Sequence, residues 1–369
     1  ILGLAFWLTY AIGSPLQELL DTYVVNNLAS IVRDALAWGP SWLADLMADG
    51  VIGGAGAMLT FLPILVVFFA VMATLEDVGY LARAAYVMDR FMHLMGLHGK
   101  SFLPLFLGFG CNVPAVLGAR VIESKRARLL TVLLAPLVPC TARMTVIAFL
   151  APAFFGSAAT FVSWGMILLA LTVLAVSGVL INRIFFRGER AAFIMELPLY
   201  HVPNRRTIAL RVWQRSLSFI RKAGTLILAV SVVVWALSSL PAGSVETSYL
   251  ARIGRLLEPV GQLMGLDWRL TVALLTSFIA KENSIATLGV LFGTSEGAGL
   301  AAGLAETFSA ATALAFLTVQ MLFIPCVATV AVIRQETSWK WALFDLAFLL
   351  GVSLVAGGVV YWVAHLLGF

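Results

Sequence analysis

Charged side chains are scarce in this sequence. Asp, Glu, Lys and Arg make up 12% of the 369 residues, whereas 61% of the residues are hydrophobic. Soluble globular chains carry about 25% charged residues, so this composition excludes an ordinary soluble domain. The net charge of +5 does not indicate nucleic-acid binding, because nine basic residues cluster between Arg183 and Lys222, against Glu189 and Glu196. The positive-inside rule places such a segment in the cytoplasm.

Cysteine is also rare, and a nucleotide-hydrolysing motif is missing. The three cysteines, Cys111, Cys140 and Cys326, all lie in apolar runs, which argues against a disulfide framework and for free thiols at lipid depth. The stretch GLHGKS (96–101) resembles the end of a phosphate-binding loop, but position 94 is Leu where that loop needs Gly. We therefore predict that the chain is not an enzyme.

Long runs with few or no charged residues are present instead; of the runs given below, 129–151 carries Arg143, and 342–369 carries Asp345 and His365. Together with residues 1–13, they give seven candidates of about 20 residues, the length that a membrane-spanning helix needs. The sequence opens at Ile1 inside an apolar run without a basic region or cleavage site, so we expect a fragment rather than a signal peptide. The prediction is an all-α polytopic membrane protein, with further spans at 51–73, 129–151, 156–181, 223–240, 310–333 and 342–369.

Two other apolar segments are interrupted. Residues 102–120 carry Gly108, Gly110 and Pro114, and residues 269–292 have Lys281 and Glu282 near their centre. If both are re-entrant hairpins, the basic loops 74–101, 121–128 and 183–222 all fall in the cytoplasm, while 14–50 and 293–309 fall outside. The distribution of basic residues favours this arrangement over a simple count of spans.

The order of these elements predicts two repeats. VPCTARMTV (138–146) and IPCVATVAV (324–332) share a Pro-Cys-x-Ala frame, and each follows an interrupted hairpin. An odd number of crossings in each copy would make the repeats inverted, the architecture of many secondary transporters. We divide the chain into a truncated first span with an outer acidic amphipathic segment (1–50), a first gate repeat (51–182), a cytoplasmic basic amphipathic segment (183–222) and a second gate repeat (223–369). Within the cytoplasmic basic segment, residues 205–222 either lie on the membrane surface or dock a partner domain.

All three cysteines stand beside predicted helix breaks. Cys111 follows Gly110, and Cys140 and Cys326 follow Pro139 and Pro325, where proline removes a helical hydrogen bond and frees a carbonyl. Thiolate, carbonyl and amide groups suit a soft or borderline dication such as Fe²⁺. We predict a metal pathway of Cys111, Asn112, Cys140, Cys326 and Glu282; the structural alternative treats the cysteines as small buried hydrophobes.

Three further charged residues could belong to this pathway. Glu76 and Asp77 end the 51–73 span and either guide cations or mark the interface. Lys281 either neutralises Glu282 and caps the second hairpin or stands beside the permeant ion. Arg143 would repel a cation, so we expect it to hold carbonyls or a carboxylate.

Three stretches carry a resemblance to a known family. LEDVGYLARAAYVMDRFMHLMGLHGKSFLPLFLGFGCNVPAV (75–116) resembles the membrane domain of FeoB-type ferrous iron transporters, and PCTAR (139–143) and AKEN (280–283) resemble its two gate regions. The gates are also similar to hairpins of concentrative nucleoside transporters. The resemblance implies Fe²⁺ uptake across a bacterial inner membrane, with Fe²⁺ as substrate and no permanently bound cofactor. The proposed metal-handling cysteines of the family map onto Cys111 and Cys140, with Cys326 in the second gate.

The resemblance also implies partners. These are membrane lipid, an N-terminal GTP-binding domain absent from this sequence, small cytoplasmic accessory proteins and a second copy of the chain; nucleic acid is not among them. Thr145, where many members have Pro, and Asn283 and Ser284 depart from the family pattern, so Mn²⁺ stays open as the metal. A nucleoside carrier and a non-transporting membrane anchor or sensor also remain alternatives.

Overall fold

A computed structural model describes residues 2–36, 40–185, 200, 202–240, 247–292 and 298–368. Within these ranges the chain is all-helical, as the composition predicts, with short 3₁₀ and π turns between or inside the helices. The helices are α1 (Leu2–Leu20), α2 (Asn26–Ala35), α3 (Ser41–Asp45), α4 (Gly53–Asp77), α5 (Tyr80–Leu94), α6 (Phe102–Gly108), α7 (Asn112–Gly118), α8 (Lys125–Leu134), α9 (Thr141–Phe155), α10 (Ala159–Phe185), α11 (Arg205–Phe219), α12 (Thr225–Ser239), α13 (Tyr249–Gln262), α14 (Trp268–Thr276), α15 (Asn283–Leu291), α16 (Ala298–Thr307), α17 (Ala310–Leu322), α18 (Val327–Glu336) and α19 (Trp339–Leu366).

Three described segments are long and apolar enough to cross a membrane: Lys125–Ile184, Ala310–Glu336 and Trp339–Leu366. Leu62–Asp77 and Tyr80–Leu94 pass the same test as a pair bent by 81°. Gly79 makes this bend possible, because its φ of +84° lies in the left-handed region that other residues avoid. The chain is therefore a multi-pass membrane protein.

The helices pack as two compact units. Unit 1 comprises Ile1–Thr131 and Asn182–Ala236, and unit 2 comprises Val132–Ile181 and Leu237–Phe369. Each unit contains one of the two interrupted hairpins that the sequence predicts. The domain boundaries and the inversion of the two repeats remain predictions.

In unit 1, α11 and the start of α12 run along α4. The Asn204 main-chain N–H donates to the Asp77 carboxylate at one end (2.9 Å), and Gly54 meets Ser231 toward the other. The apolar stripe of α11, which includes Trp213 and Leu217, lines a groove of about 820 Å³ together with α4 side chains. Residues 205–219 thus pack on α4 rather than lying apart from it. Of the predicted basic segment, residues 186–199 and 201 lie outside the described residues.

The first hairpin consists of α6 and α7, which pack on each other and are separated by a break at residues 109–111. At the end of α6, two main-chain hydrogen bonds share one acceptor: the N–H groups of Gly110 and Cys111 both donate to the Leu107 carbonyl. Gly110 lies against the Phe68 ring, so closely that an added Cβ would overlap the ring carbons. A glycine at this position therefore lets the hairpin tip approach α4.

Unit 2 contains the second hairpin, α14 and α15, with a break at residues 277–282. It also contains two helices that begin after a broken segment: α9 follows the break at 135–140, and α18 follows the break at 323–326. The long α19 packs along α17, where Gly357 faces Val319. Lipid offers no partner to unpaired backbone groups, so the three breaks need hydrogen bonds from within the protein.

Candidate functional site

Each cysteine occupies the N-cap of a helix. Cys111 precedes α7, Cys140 precedes α9 and Cys326 precedes α18, and each has extended backbone, with ψ of 133°, 165° and 153°. The first N–H groups of a helix lack intrahelical acceptors and create a positive potential there. Each cysteine thus lies beside main-chain N–H groups that have no intrahelical acceptor. The predicted association of cysteines with helix breaks is confirmed.

Glu282 has the corresponding place in the second hairpin. It is the N-cap of α15, just as Cys111 is the N-cap of α7. The first hairpin therefore carries a thiol, and the second a carboxyl group, at the residue where its second helix begins. Asn112, the first residue of α7, is buried with 5% of its surface exposed.

Three breaks of unit 2 are joined by buried cationic side chains. The Arg143 guanidinium donates to the Pro136 carbonyl (2.5 Å) and to the Phe323 carbonyl (2.6 Å), which links the break at 135–140 with that at 323–326. Lys281 Nζ donates to the Ile324 carbonyl (2.6 Å), which adds the hairpin break at 277–282. We refer to these three breaks together as the unit 2 junction. As the sequence predicts, Arg143 holds carbonyl groups.

Neutral groups complete the unit 2 junction. The Val327 N–H donates to the Phe278 carbonyl (2.7 Å), a main-chain bond between two breaks. The Gln320 amide donates to the Lys281 carbonyl (3.1 Å) and to Ser284 Oγ (3.2 Å). Because Arg143, Lys281 and Gln320 bind carbonyls that the breaks release, those carbonyls are poor ligands for an incoming cation. The sulfur atoms and Glu282 are the better candidates.

Cys140 and Cys326 lie in the same electrostatic environment. Their sulfurs are near enough to interact with each other and with the charges of Arg143 and Lys281. Cys326 Sγ is also 3.2 Å from Thr329 Oγ1, within hydrogen-bonding distance. The three cysteines, all within the described ranges, form no disulfide, and each is partly exposed. The thiolate is the form of cysteine that binds metal.

The described residues do not form a complete metal site. Within them, no three His, Cys, Asp or Glu side chains are close enough to hold one ion. Cys140, Cys326 and Lys281 are electrostatic neighbours in unit 2. Cys111 and Asn112 belong to unit 1. A pair of thiols fits a transient contact better than a permanent metal centre.

Glu76 and Asp77 have ionic partners on α11. Arg215 binds the Glu76 carboxylate at 2.9 Å, and Arg211 lies 3.8 Å from Glu76 and 3.9 Å from Asp77. Asp77 also accepts the Asn204 N–H, and its side chain is 8% exposed. These contacts match the structural interpretation of the pair, in which they mark the end of the span.

Sequence reasoning overlooked two buried polar residues of unit 2. Gln320 is fully buried and helps to hold the second hairpin, and Asp345 is 1% exposed within α19. A lone polar residue in an otherwise apolar span is itself a signal, because such residues are costly in a membrane. Both stand in runs that the sequence analysis treats only as spans.

The chain is similar to named transporters over almost its full length. It is 36% identical over 99% of its residues to the Fe(2+) transporter FeoB of Methanocaldococcus jannaschii and to that of Staphylococcus aureus strain COL, covering 56% of each. The chain belongs to the FeoB family. The Fe(2+) transporter FeoB of Escherichia coli K12 is 32% identical over 99% of the chain and 55% of the relative. The chain thus spans about half the length of these FeoB relatives.

Two family descriptions together cover most of the chain. "Gate: Nucleoside recognition" matches residues 58–154 and 220–340, and "Ferrous iron transport protein B C terminus" matches residues 163–215. Among solved structures, CNTnw in an inward-facing substrate-bound state has a TM-score of 0.49 and 14% identity, covering 98% of this chain and 88% of that chain. A doubly substituted CNTnw in an outward-facing state has a TM-score of 0.45 and 17% identity, with the same coverage.

Proposed function

We propose that this chain forms the membrane pathway of a ferrous iron transporter and that Fe²⁺ passes through the unit 2 junction. The single observation that carries the proposal is the placement of Cys140 and Cys326 together at two helix N-termini of that junction. Relatives named Fe(2+) transporter FeoB support Fe²⁺ as the cargo. The metal is a substrate here, and no resident metal is needed.

The two sulfurs would exchange with water in the ion's hydration shell. Thiolates bind Fe²⁺ better than they bind Mn²⁺ or Mg²⁺, because they are soft ligands and because affinity rises along the divalent series from Mn²⁺ to Fe²⁺. Glu282, at the N-cap of α15, would add an oxygen ligand as the ion leaves the sulfurs. Cys111 and Asn112 of the first hairpin would form a second metal contact, within unit 1.

The test uses the full-length protein in liposomes and measures ⁵⁵Fe²⁺ uptake. We expect Cys140→Ser and Cys326→Ser each to reduce uptake, because a hydroxyl oxygen replaces a soft ligand, and the variant lacking all three thiols to lose most of it. Ser163→Ala is the matched control, since Ser163 donates to the Ala159 carbonyl within α10 and lies away from the breaks. Undiminished uptake by the variant without thiols would refute the proposal.

A competition experiment addresses the choice of metal. Excess Mn²⁺ should inhibit ⁵⁵Fe²⁺ uptake by wild type only weakly, and the serine variants should discriminate less between the two ions. If Mn²⁺ and Fe²⁺ compete equally in wild type, the soft ligands do not set the selectivity, and the Mn²⁺ alternative gains support.

A nucleoside carrier is the second candidate function, because the matching family is described as "Nucleoside recognition". A nucleoside site needs several polar side chains to bind ribose and base. In the unit 2 junction, however, Lys281 and Gln320 already bind main-chain groups. Uptake of labelled uridine by the same vesicles separates the candidates, and we expect none above protein-free vesicles.

The whole protein is expected to have partners in the cytoplasm. We infer an N-terminal GTP-binding domain that regulates passage of the ion through a bacterial inner membrane. A relative named Fe(2+) transport protein A/Fe(2+) transporter FeoB fusion protein, from Porphyromonas gingivalis, points to a small accessory protein. If vesicles show no Fe²⁺ flux with or without GTP, the anchor or sensor alternative is the better one.

A further inference from the structure

Asp345 is a buried carboxyl group without a hydrogen-bond donor among the described residues. It lies in α19, a 28-residue helix apolar enough to span a membrane, and 1% of its surface is exposed. Within the described ranges, nothing donates a hydrogen bond to either of its carboxyl oxygens. It is the seventh residue of α19, so it lies roughly 9 Å along the helix axis from the first one.

The charged neighbours of Asp345 are few. Arg143, on α9, is the described residue whose charge acts on it. The α17 helix, which packs along α19, carries no titratable side chain, and on α18 Arg334 stacks on the Trp339 ring at 4.4 Å. The remaining titratable groups of these two helices are Glu336 on α18 and Lys340, Tyr361 and His365 on α19.

Arg143 is already engaged elsewhere. Its two terminal nitrogens bind the Pro136 and Phe323 carbonyls, and its Nε has no acceptor among the described residues. An ionised carboxylate in this place would lack both water and a donor, which is energetically unfavourable. The neutral acid avoids that cost while Arg143 stays on the carbonyls.

We propose that Asp345 is a proton-binding site whose proton is exchanged for a dication at the unit 2 junction. The proposal rests on the proposed function for its dication. Arg143 is three residues beyond Cys140, so an ion held by the thiols repels the guanidinium. A carboxylate at Asp345 offers that guanidinium a counter-charge in the same unit.

Each atom and proton in the exchange is accounted for. When the dication binds, the Asp345 O–H bond breaks, the proton passes to water, and the carboxylate that remains pairs with Arg143. When the ion leaves, a proton from water restores the acid. The Asp345 proton thus carries away one of the two positive charges that arrive, protons released by the thiols come in addition, and no oxidant or reductant takes part.

Infrared spectroscopy of the purified full-length protein tests the site without transport. A protonated carboxylic acid in apolar surroundings has a carbonyl band that is separate from amide and carboxylate bands and shifts in D₂O. We expect this band in the metal-free wild type at neutral pH, its loss in Asp345→Asn, and its return in Asp345→Glu. The same spectrum with and without Asp345 would overturn the proposal.

Proton release on Fe²⁺ binding tests the coupling. Thiols also release protons when they bind metal, so the comparison is between variants in weakly buffered solution with a pH-sensitive dye. Asp345→Asn should release about one proton fewer per bound ion than wild type. One coupled proton changes the affinity for Fe²⁺ by up to about tenfold per pH unit, so the Fe²⁺ affinity of the variant should depend less steeply on pH by up to that factor. Ser353→Ala, a buried change on the same helix, should behave as wild type.

The outcomes distinguish the two proposals. Equal proton release by wild type and Asp345→Asn would overturn the coupling while Fe²⁺ uptake and the thiol dependence persist. Vesicles of wild-type protein that accumulate no Fe²⁺ would overturn the proposed function, whereas the infrared band reports on Asp345 independently of uptake.

Discussion

Arg143 donates a hydrogen bond to the carbonyl of Phe323, a residue 180 positions further along the chain. The same side chain binds the Pro136 carbonyl, so one guanidinium holds two helix breaks of unit 2. To bind both carbonyls at once, a side chain must hold several N–H donors in a fixed geometry. The planar guanidinium of arginine does so, and the ammonium group of lysine does not. Arg143 is therefore a structural element of the unit 2 junction, and it keeps the thiol-bearing helix ends in place.

Replacing Arg143 should destabilise unit 2. In Arg143→Met, two buried carbonyls lose their donors, which we expect to lower the free energy of unfolding by about 3 kcal/mol or more. Arg143→Lys should lose less, since it keeps a charge and one donor. Thermal unfolding in detergent, followed by tryptophan fluorescence, measures the order wild type, Lys, Met. Equal Tm values for Lys and Met would show that the fixed geometry of the donors is unimportant.

Asp77 and Glu76 should differ in their effect on stability. Asp77→Ala removes a nearly buried carboxylate that accepts the Asn204 N–H, and hydrogen bonds to charged groups are worth about 1.5–3 kcal/mol. Glu76→Ala breaks an ion pair of a 41%-exposed side chain, worth about 0–1 kcal/mol. The Tm of Asp77→Ala should therefore fall further. If the two carboxylates guide cations instead, both variants should show lower Fe²⁺ uptake and an unchanged Tm.

The sequence allows much of the fold to be predicted, because the relevant signals are local. Runs of apolar residues predict helices at lipid depth, and Gly110, Pro139 and Pro325 predict the breaks beside the cysteines. The charge on Arg143 also indicates its role. A positively charged side chain would repel a permeant cation, so it is expected to bind carbonyl or carboxylate groups instead.

The contacts that build the unit 2 junction could not be predicted in this way. Lys281 meets the Ile324 carbonyl 43 residues away, and nothing near either residue in the sequence specifies the other. The groove between α4 and α11 poses the same difficulty: the stripe around Trp213 predicts an apolar neighbour without saying whether that neighbour is lipid or a helix. Asp345 shows a third limit, since its significance depends on the absence of donors among the described residues, which only coordinates reveal.

Gly110→Ala should destabilise the first hairpin. The added Cβ would overlap the ring of Phe68, which is itself 3% exposed, so the ring has little room to move. Overpacking of this kind costs about 1–3 kcal/mol. The measurement is again the Tm, and Phe68→Leu in the same chain should recover part of the loss.

Gly165→Ala is the matched control for that change. Gly165 lies inside α10 with no described atom within 4 Å of an added Cβ, so alanine should stabilise the helix by about 0.5–1 kcal/mol. A loss of Tm in both alanine variants would mean that the Phe68 contact is not the cause.

His98 should make the protein less stable in mild acid. Burial lowers the pKa of His98 below its ordinary 6.5, an effect that the nearby Asp89 opposes. The unfolded chain then binds a proton at a pH where the folded protein does not, so stability decreases as the pH falls through 6.5. His98→Gln cannot take up this proton. Its Tm should match wild type near pH 8 and exceed it near pH 5, and parallel Tm curves for the two proteins across that range would contradict the assignment.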